Sequence, residues 1–294
     1  MQMNELKKNL QGLFYPIRHK RIFKKVHGYN LDLENPMTWN EKINHRKRYG
    51  DKKNMALIAD KFRVRDYVRS IIGEDVLIPL IGVYDRVEDI DFNFLPDNFV
   101  MKTNHGSGSE HISIINKESG IDINELKIKF NLALKDNFGK NMGEYFYQEI
   151  ERKIIIEEYL ESGSFTPNDY KFHCFKNGRE TKIYIQVDEG RYTDHKRSIF
   201  DEEWVELDIT INPKYKRIID KSRPKNLDKM ISIARKLSSE FSYIRVDLYS
   251  VNDKVYFGEL TQTHGNGMEK ILPYEVDVEW GNLWDYFNKP QGMK

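Results

Sequence analysis

The chain reads as an α+β protein with antiparallel sheets. Three observations predict it. Short runs rich in β-formers, such as NFVMKTN and KIIIEEYL, are separated by stretches with helical apolar spacing. Two of the last strands, YIRVDLYS and KVYFGELTQ, are joined by a tight turn at Asn252-Asp253. Strands and helices mix without a regular strand–helix alternation, which argues against a purely parallel sheet.

The first third is helical. Thr38-x-x-Glu41 is a capping box that opens a helix over Trp39 to Tyr49. Val64, Tyr67, Val68 and Ile71 recur at three-four spacing, and Gly73 follows as a stop. Strands are predicted over Val76 to Asp85 and Asn98 to Asn104. A helix over Asp122 to Phe138 carries the stripe Leu126, Phe130 and Leu134, with Asp122 and Glu125 as its capping box. KIIIEEYL, DYKFHCF and TKIYIQV are three more strands. A long helix follows with Leu227, Met230, Ala234, Leu237 and Phe241 on one face. The segment DEGRYTDHKRSIFD is expected to be a mobile loop between strands. The expected division is a helical segment over 1–75, a lid subdomain over 76–160 and a larger subdomain over 161–294.

Composition narrows the function classes. With 47 Lys and Arg against 46 Asp and Glu, the net charge is +1, which argues against a surface built to coat nucleic acid. The one cysteine, Cys174, excludes an internal disulfide and a cysteine-based zinc site. No stretch approaches the roughly 20 apolar residues of a membrane span, so a cytoplasmic location is the expectation. The basic run Arg18 to Lys25 is compatible with peripheral contact to an anionic membrane, and more simply with a solvated face.

The final hairpin carries the most chemistry. Alternation points Arg245 and Asp247 to one face and Ile244, Val246 and Leu248 to the other. In the partner strand Phe257, Glu259 and Thr261 are expected to share a face, with Glu259 nearly opposite Asp247. Like charges so placed repel. A cation between them relieves that, and Mg²⁺ prefers a few carboxylates plus phosphate oxygens. Taken alone, the hairpin is equally compatible with an exposed ion pair. It leads into TQTHGNGMEKILP, a loop suited to close backbone approach. Earlier, Lys102 ends a strand and is followed by Gly106, Ser107 and Gly108; small residues expose amides that can cradle phosphates, with Lys102 as a point charge. The Walker pattern is absent, and such a tip alone is more often a flexible hairpin. Glu157 and Glu158 end a buried strand, where an adenine amino group or solvent can satisfy them.

Taken together, these pieces resemble the ATP-grasp superfamily, and within it the TupA-like group linked to teichuronopeptide and surface-polysaccharide biosynthesis. The order matches from about Asp60 to about Pro273: a DK helix, a strand lysine with a glycine loop, an EEYL segment and an R-x-D…E hairpin. The phrases ENPMTWNEKIN, DKFRVRDYV, LIPLIGVYD, LPDNFVMKTNHGSG and YIRVDLYSVNDKVYFGELTQTHGNGMEKILP carry the closer likeness.

The resemblance implies an ATP-grasp fold and a set of roles. Lys61 and Lys102 would hold the α- and β-phosphates, under a lid of Gly106, Ser107 and Gly108. Glu157, with the backbone of Tyr159 and Leu160, would hold adenine, and Asp169 the ribose. Asp247 and Glu259 would bind one or two Mg²⁺ ions, with Thr261 at the position where an Asn usually completes the second site. Arg245 would stabilise the transferring phosphoryl group. Arg191, Lys196 and Arg197 in the expected mobile segment would reach the γ-phosphate or the acidic substrate, and His105 or His264, flanking the two glycine-rich loops, would act near the attacking amine. The implied reaction is ligation of a carboxylate, on a uronic-acid saccharide or its precursor, to an amine through an acyl phosphate. Two departures stand out: Thr261 replaces the Asn, and a helical segment stands where an N-terminal α/β subdomain is usual. Competing readings are a sugar-nucleotide glycosyltransferase, an ATP-binding protein without turnover, and phosphotransfer to a hydroxyl.

Overall fold

The computed structural model describes residues 18–120, 122–161, 169–178, 180–190 and 193–287. The start of the expected helical segment, residues 1–17, and Arg191 in the expected mobile loop lie outside them.

Four helices open the described chain. After α1 (residues 18–27), α2 spans Trp39–Tyr49. Its capping box forms as read: the Thr38 hydroxyl accepts from the Glu41 amide at 3.1 Å, and the Glu41 carboxylate accepts from the Thr38 amide at 3.0 Å. α3 (Lys52–Ala59) is capped by Asp51. α4 (Val64–Ile72) ends at Gly73, whose φ of 91° suits a residue without a Cβ.

The first sheet orders its strands β1-β4-β2-β3, all antiparallel: β1 Leu80–Tyr84, β2 Asn98–Thr103, β3 Ile112–Asn116 and β4 Ile154–Glu158. β1 is shorter than the apolar run Val76 to Asp85 suggested. Pro79 has no N–H for a ladder, and the residues before it are used otherwise: Val76 accepts from Phe257 and Ile78 from Arg65. Phe99, Met101, Ile154 and Ile156 pack one face of this sheet against Leu126 and Phe130 of α5 (Ile123–Lys135). Asp122 caps α5 through the Asn124 and Glu125 amides.

The second sheet has five antiparallel strands in the order β10-β9-β5-β6-β7: β5 Asp169–Asn177, β6 Glu180–Glu189, β7 Lys196–Phe200, β9 Tyr243–Val251 and β10 Lys254–Thr261. A short pair, β8 (Thr210–Ile211) with β11 (Ile271–Leu272), lies outside it. One face carries Phe172, Cys174, Ile183, Ile185, Ile244, Val246 and Leu248 against α6 (Leu227–Leu237) and α4. Each such buried side chain contributes about 1.5–3 kcal/mol of transfer free energy. Cys174 is a core residue of this layer.

The opposite face is divided. At one end Phe175, Tyr184 and Tyr243 meet Trp39 of α2 and Trp280 of α7 (Tyr274–Leu283), with Trp284 beside them. At the other end the same face carries charge. Two expectations are corrected here. The DEGRYTDHKRSIFD segment is not a loop throughout: Asp188 and Glu189 end β6, and Lys196 to Phe200 form β7. Phe257 does not share a face with Glu259. A bulge at Gly258 pairs Phe257 with Leu248 and Glu259 with Asp247, which returns Phe257 to the core.

Candidate functional site

Register brings the charged end together. Asp169, Lys171 and His173 alternate on one face of β5, and β9 lays Tyr249, Asp247 and Arg245 opposite them. On the other side β6 places Asp188 opposite Asp169 and Gln186 opposite Lys171, and β7 pairs Arg197 with Asp188. The Asn252-Asp253 turn, with φ of 49° and 59°, is the two-residue hairpin that pairs Val251 with Lys254, and the Gly258 bulge then brings Glu259 opposite Asp247.

The charges alternate in sign along this face. Lys171 Nζ lies 2.5 Å from Asp169 and 2.7 Å from Asp247. Arg245 grips Asp247 with two N–H groups, at 2.6 and 2.7 Å, and reaches Glu259 at 2.8 Å and Thr261 at 2.9 Å. Its remaining arm meets His264 Nδ1 at 2.7 Å. His264 Nε2 sits 3.0 Å from Glu269, which also takes Arg197 at 2.8 Å; Arg197 binds Asp188 at 2.6 Å. Burial alone would lower the Arg245 pKa, yet the adjoining Asp247 carboxylate and then Glu259 raise it. Burial and Asp247 both push Glu259 up, but Arg245, Lys61 and Lys171 outweigh them and hold it below its usual value. Asp188 and Glu269 are likewise held below the usual carboxylate range: burial opposes it, Arg197 and Lys171 impose it on Asp188, and His264 and Arg197 impose it on Glu269.

The first sheet supplies the facing wall. Lys102 of β2 pairs with Glu157 of β4 at 2.6 Å, and Arg65 of α4 takes the other oxygen of Glu157 at 3.2 Å. Lys61 donates to the Gly106 carbonyl at 2.6 Å. Its pKa is lowered, by burial first and by Lys102, against the pull of Glu259. Gly106 lies against the His111 ring, where an added Cβ would fall 2.0 Å from Nδ1, and Gly108 takes φ of 84°. Ser107 and Gly108 are exposed, and the amides of residues 106–108 donate to no acceptor among the described residues.

Between the walls lies a cleft of about 460 Å³. Twelve of the sequence-predicted residues line it: Lys61, Lys102, Gly106, Ser107, Gly108, Asp169, Arg197, Arg245, Asp247, Glu259, Thr261 and His264. Glu157, Tyr159 and Leu160 do not. The β4 register turns Glu157 into the space between Lys102 and Arg65, where its carboxylate is already engaged. Arg197 stands on a strand, anchored by two carboxylates. Both ring nitrogens of His264 are occupied and the ring stacks on Trp39, so it bridges Arg245 to Glu269. Trp280 is core and Trp204 stacks on Phe200, whereas Tyr215 lines the cleft.

Sequence reasoning missed Lys171, Gln186, Asp188, His195, Glu144 and Glu269, all in the cleft wall. Alternation in DYKFHCF and TKIYIQVDE already marks Asp169, Lys171, Gln186 and Asp188 as one-faced; the missing fact was that β5 neighbours β9. Glu144 and Glu269 come from segments with no period to read.

The residues present fit magnesium and a polyphosphate. Asp247, Glu259 and Thr261 offer only oxygen donors, and the Glu259 side chain remains 37 % accessible. Among the described residues no group of three or more His, Cys, Asp or Glu is arranged to hold a metal unaided. Mg²⁺ takes one or two carboxylates and completes its octahedron with phosphate oxygens and water. The undonated amides of residues 106–108 and the lysines Lys61 and Lys102 suit the phosphates.

Two antiparallel sheets closing on a cleft, one with a glycine loop and strand lysine and the other with paired carboxylates under an arginine, define the class of protein. Residues 41–285 match the sequence model of the family described as TupA-like ATPgrasp, and the chain belongs to that family. No curated protein matches the chain. Among solved structures it is similar to D-alanine–D-alanine ligase from Helicobacter pylori, with 13 % identity and a TM-score of 0.48 over 78 % of this chain and 61 % of that one. It is also similar to N5-carboxyaminoimidazole synthetase from Staphylococcus aureus complexed with ADP (16 %, TM-score 0.45, 81 % and 52 %). A third is D-alanine–D-alanine ligase from Bacillus anthracis complexed with ATP (16 %, TM-score 0.41, 79 % and 64 %). The chain thus spans between about half and just under two thirds of the length of these proteins. Among the described residues no helix is long and apolar enough to cross a membrane.

Proposed function

We propose that the chain is an ATP-dependent carboxylate–amine ligase. The observation that carries this reading is the placement of Asp247, Glu259 and Arg245 across one cleft from Lys61, Lys102 and the Gly106–Gly108 loop. In this reading Lys61, Lys102 and the loop amides hold the phosphates of ATP. Asp247 and Glu259 hold Mg²⁺, which when bound neutralises phosphate charge and aligns the γ-phosphoryl group. Thr261 contributes a hydroxyl where a second ion would sit. Arg245, fixed between Asp247 and Glu259, places its positive charge beside the equatorial oxygens as negative charge develops there. The substrate carboxylate takes the phosphoryl group and ADP leaves; an amine then attacks the acyl carbon, forming the C–N bond and expelling phosphate.

The carboxylate donor in this reading is a uronic-acid saccharide or its precursor, and the amine an amino acid or amino alcohol. Tyr215 is the aromatic residue offered to such a saccharide: it lines the cleft, with Arg197 over its ring at 4.5 Å and His195 beside it at 4.0 Å. Glu157 is left as a positioning partner of Lys102 rather than an adenine contact.

The test is ADP release with Mg-ATP, a panel of uronic acids and nucleotide-linked uronic acids, and mixed amino acids and amino alcohols. Release that requires both an acid and an amine supports ligation. ATP binding with no ADP release over the whole panel favours a binding protein without turnover. That second reading draws on Thr261, whose hydroxyl is already shared between Arg245 and Glu259, each at 2.9 Å.

A further inference from the structure

Glu144 is a carboxyl in the cleft wall for which the ligase reading above has no use. It precedes the single-turn segment Tyr145–Glu149 and is only 6 % exposed. Its partners are neutral. The Thr263 hydroxyl donates to it, and the Asn266 side chain, with its nitrogen turned to the carboxyl, donates at 2.5 and 3.0 Å. Lys47 is the cation whose charge acts on it, but the Lys47 ammonium spends its hydrogen bonds on the Met142 and Asn266 carbonyls, at 3.0 and 2.7 Å. Asp247, Glu259, Asp188 and Glu269 each pair with arginine or lysine; Glu144 forms no such ion pair among the described residues.

A buried carboxyl held only by neutral donors calls for a cation or a proton. We propose that Glu144 holds the ammonium group of the amine co-substrate and takes its proton as the amine attacks. This rests on the ligase reading. Thr263 and Asn266 orient the carboxyl, which marks the end of the cleft beside the 263–267 loop as the amine end. The step balances. Two protons leave the nitrogen: one moves to a Glu144 oxygen and frees the lone pair that forms the C–N bond, and the second goes to the departing phosphate, which takes the electrons of the broken acyl–oxygen bond. The charged or titratable groups facing Glu144 are Lys47 and Tyr147, with Glu259 acting on Tyr147 from across the cleft. Burial pushes the Glu144 carboxyl up to about 7, against the Thr263 bond and the Lys47 charge, so it exchanges a proton near neutral pH.

The test compares two nucleophiles in wild type and Glu144→Gln. Hydroxylamine is uncharged at neutral pH and traps an acyl phosphate without a base; an amino acid or amino alcohol arrives as an ammonium. The expected result is a fall of about 100-fold or more in the ratio of amide to hydroxamate in the variant. An unchanged ratio overturns the proposal, whether total product falls or not. A second arm needs no turnover: ethylammonium titrated into protein with ¹³C-labelled glutamate carboxyls should shift the Glu144 signal and lower its midpoint. A Glu144 signal that does not respond overturns the site even where wild-type ligation is found. Wild type that makes no product with any acid sinks the ligase reading instead, and the ethylammonium titration then decides the Glu144 site alone.

Discussion

The two walls of the cleft solve their electrostatics in opposite ways. The wall built on the five-stranded sheet is saturated: Asp169, Lys171, Asp247, Arg245, Glu259, Arg197 and Asp188 of the sheet, with Glu269 of the adjoining loop, each lie against an opposite charge. The four-stranded sheet is underpartnered. Its loop amides at 106–108 donate to no described acceptor, and Lys61 reaches only a carbonyl there. A saturated wall holds its side chains in place and resists change. An underpartnered wall waits for anion oxygens. A ligand with phosphates on one side and a cation on the other complements both, which is why one cleft needs two differently built sheets.

The largest expected effect comes from breaking the saturated wall. Asp247→Asn removes the charge that holds both Lys171 and Arg245, and it should cut ADP release on the order of 1000-fold. The same change leaves buried cations underpaired and should destabilise the fold by about 3 kcal/mol, read by urea unfolding. Retained ADP release would mean that the metal site lies elsewhere. Next comes the other wall. Gly106→Ala drives a methyl into the His111 ring, and it should weaken ATP binding at least about tenfold and cost about 1–3 kcal/mol of stability. Binding of ATP by calorimetry, unchanged in this variant, would remove the loop from the phosphate site.

Lys102→Met tests the link between lysine and Glu157. ATP affinity should drop about tenfold, while stability falls by only about 1 kcal/mol, because Arg65 still partners Glu157. A stability loss far above that with unchanged ATP affinity would make the pair purely structural. The remaining expected effect concerns pH and leaves ATP binding aside. Glu144 has a folded pKa raised to about 7 by burial, above its ordinary 4.5. A raised carboxyl contributes its stability below the unfolded value and loses it as pH rises through the folded one. Wild type should therefore lose stability relative to Glu144→Gln between about pH 4.5 and 7, by on the order of 1–3 kcal/mol. Parallel pH profiles for the two proteins would contradict that environment for Glu144.

Much of the fold was legible because its elements obey local rules. The Thr38–Glu41 box, the Gly73 stop, the Asp122 cap and the Asn252-Asp253 turn are satisfied within a few residues of themselves. The hairpin turn brings Asp247 to within one residue of Glu259, so the neighbouring carboxylates and Arg245 were readable from the sequence, and the Gly258 bulge completes the pairing. Readings failed where a distant partner intervened. Period two predicted Phe257 beside Glu259, and the Gly258 bulge shifted it to the core. The charges and aromatics of DEGRYTDHKRSIFD suggest a loop, but pairing with β6 makes Lys196 to Phe200 a strand.

The sequence by itself therefore determined the α+β class, the hairpin with its facing acids, the lysine before the glycine loop and the family. These are properties of alternation, capping and turn chemistry, which act over a few residues. Only the tertiary structure decided that β5 lies beside β9, which delivers Lys171 to Asp247, and that Glu157 is consumed by Arg65 and Lys102. It alone brought Glu144 and Glu269 into the cleft. Strand order and loop closure depend on which faces bury the most apolar surface together, and that sum is taken over the whole chain.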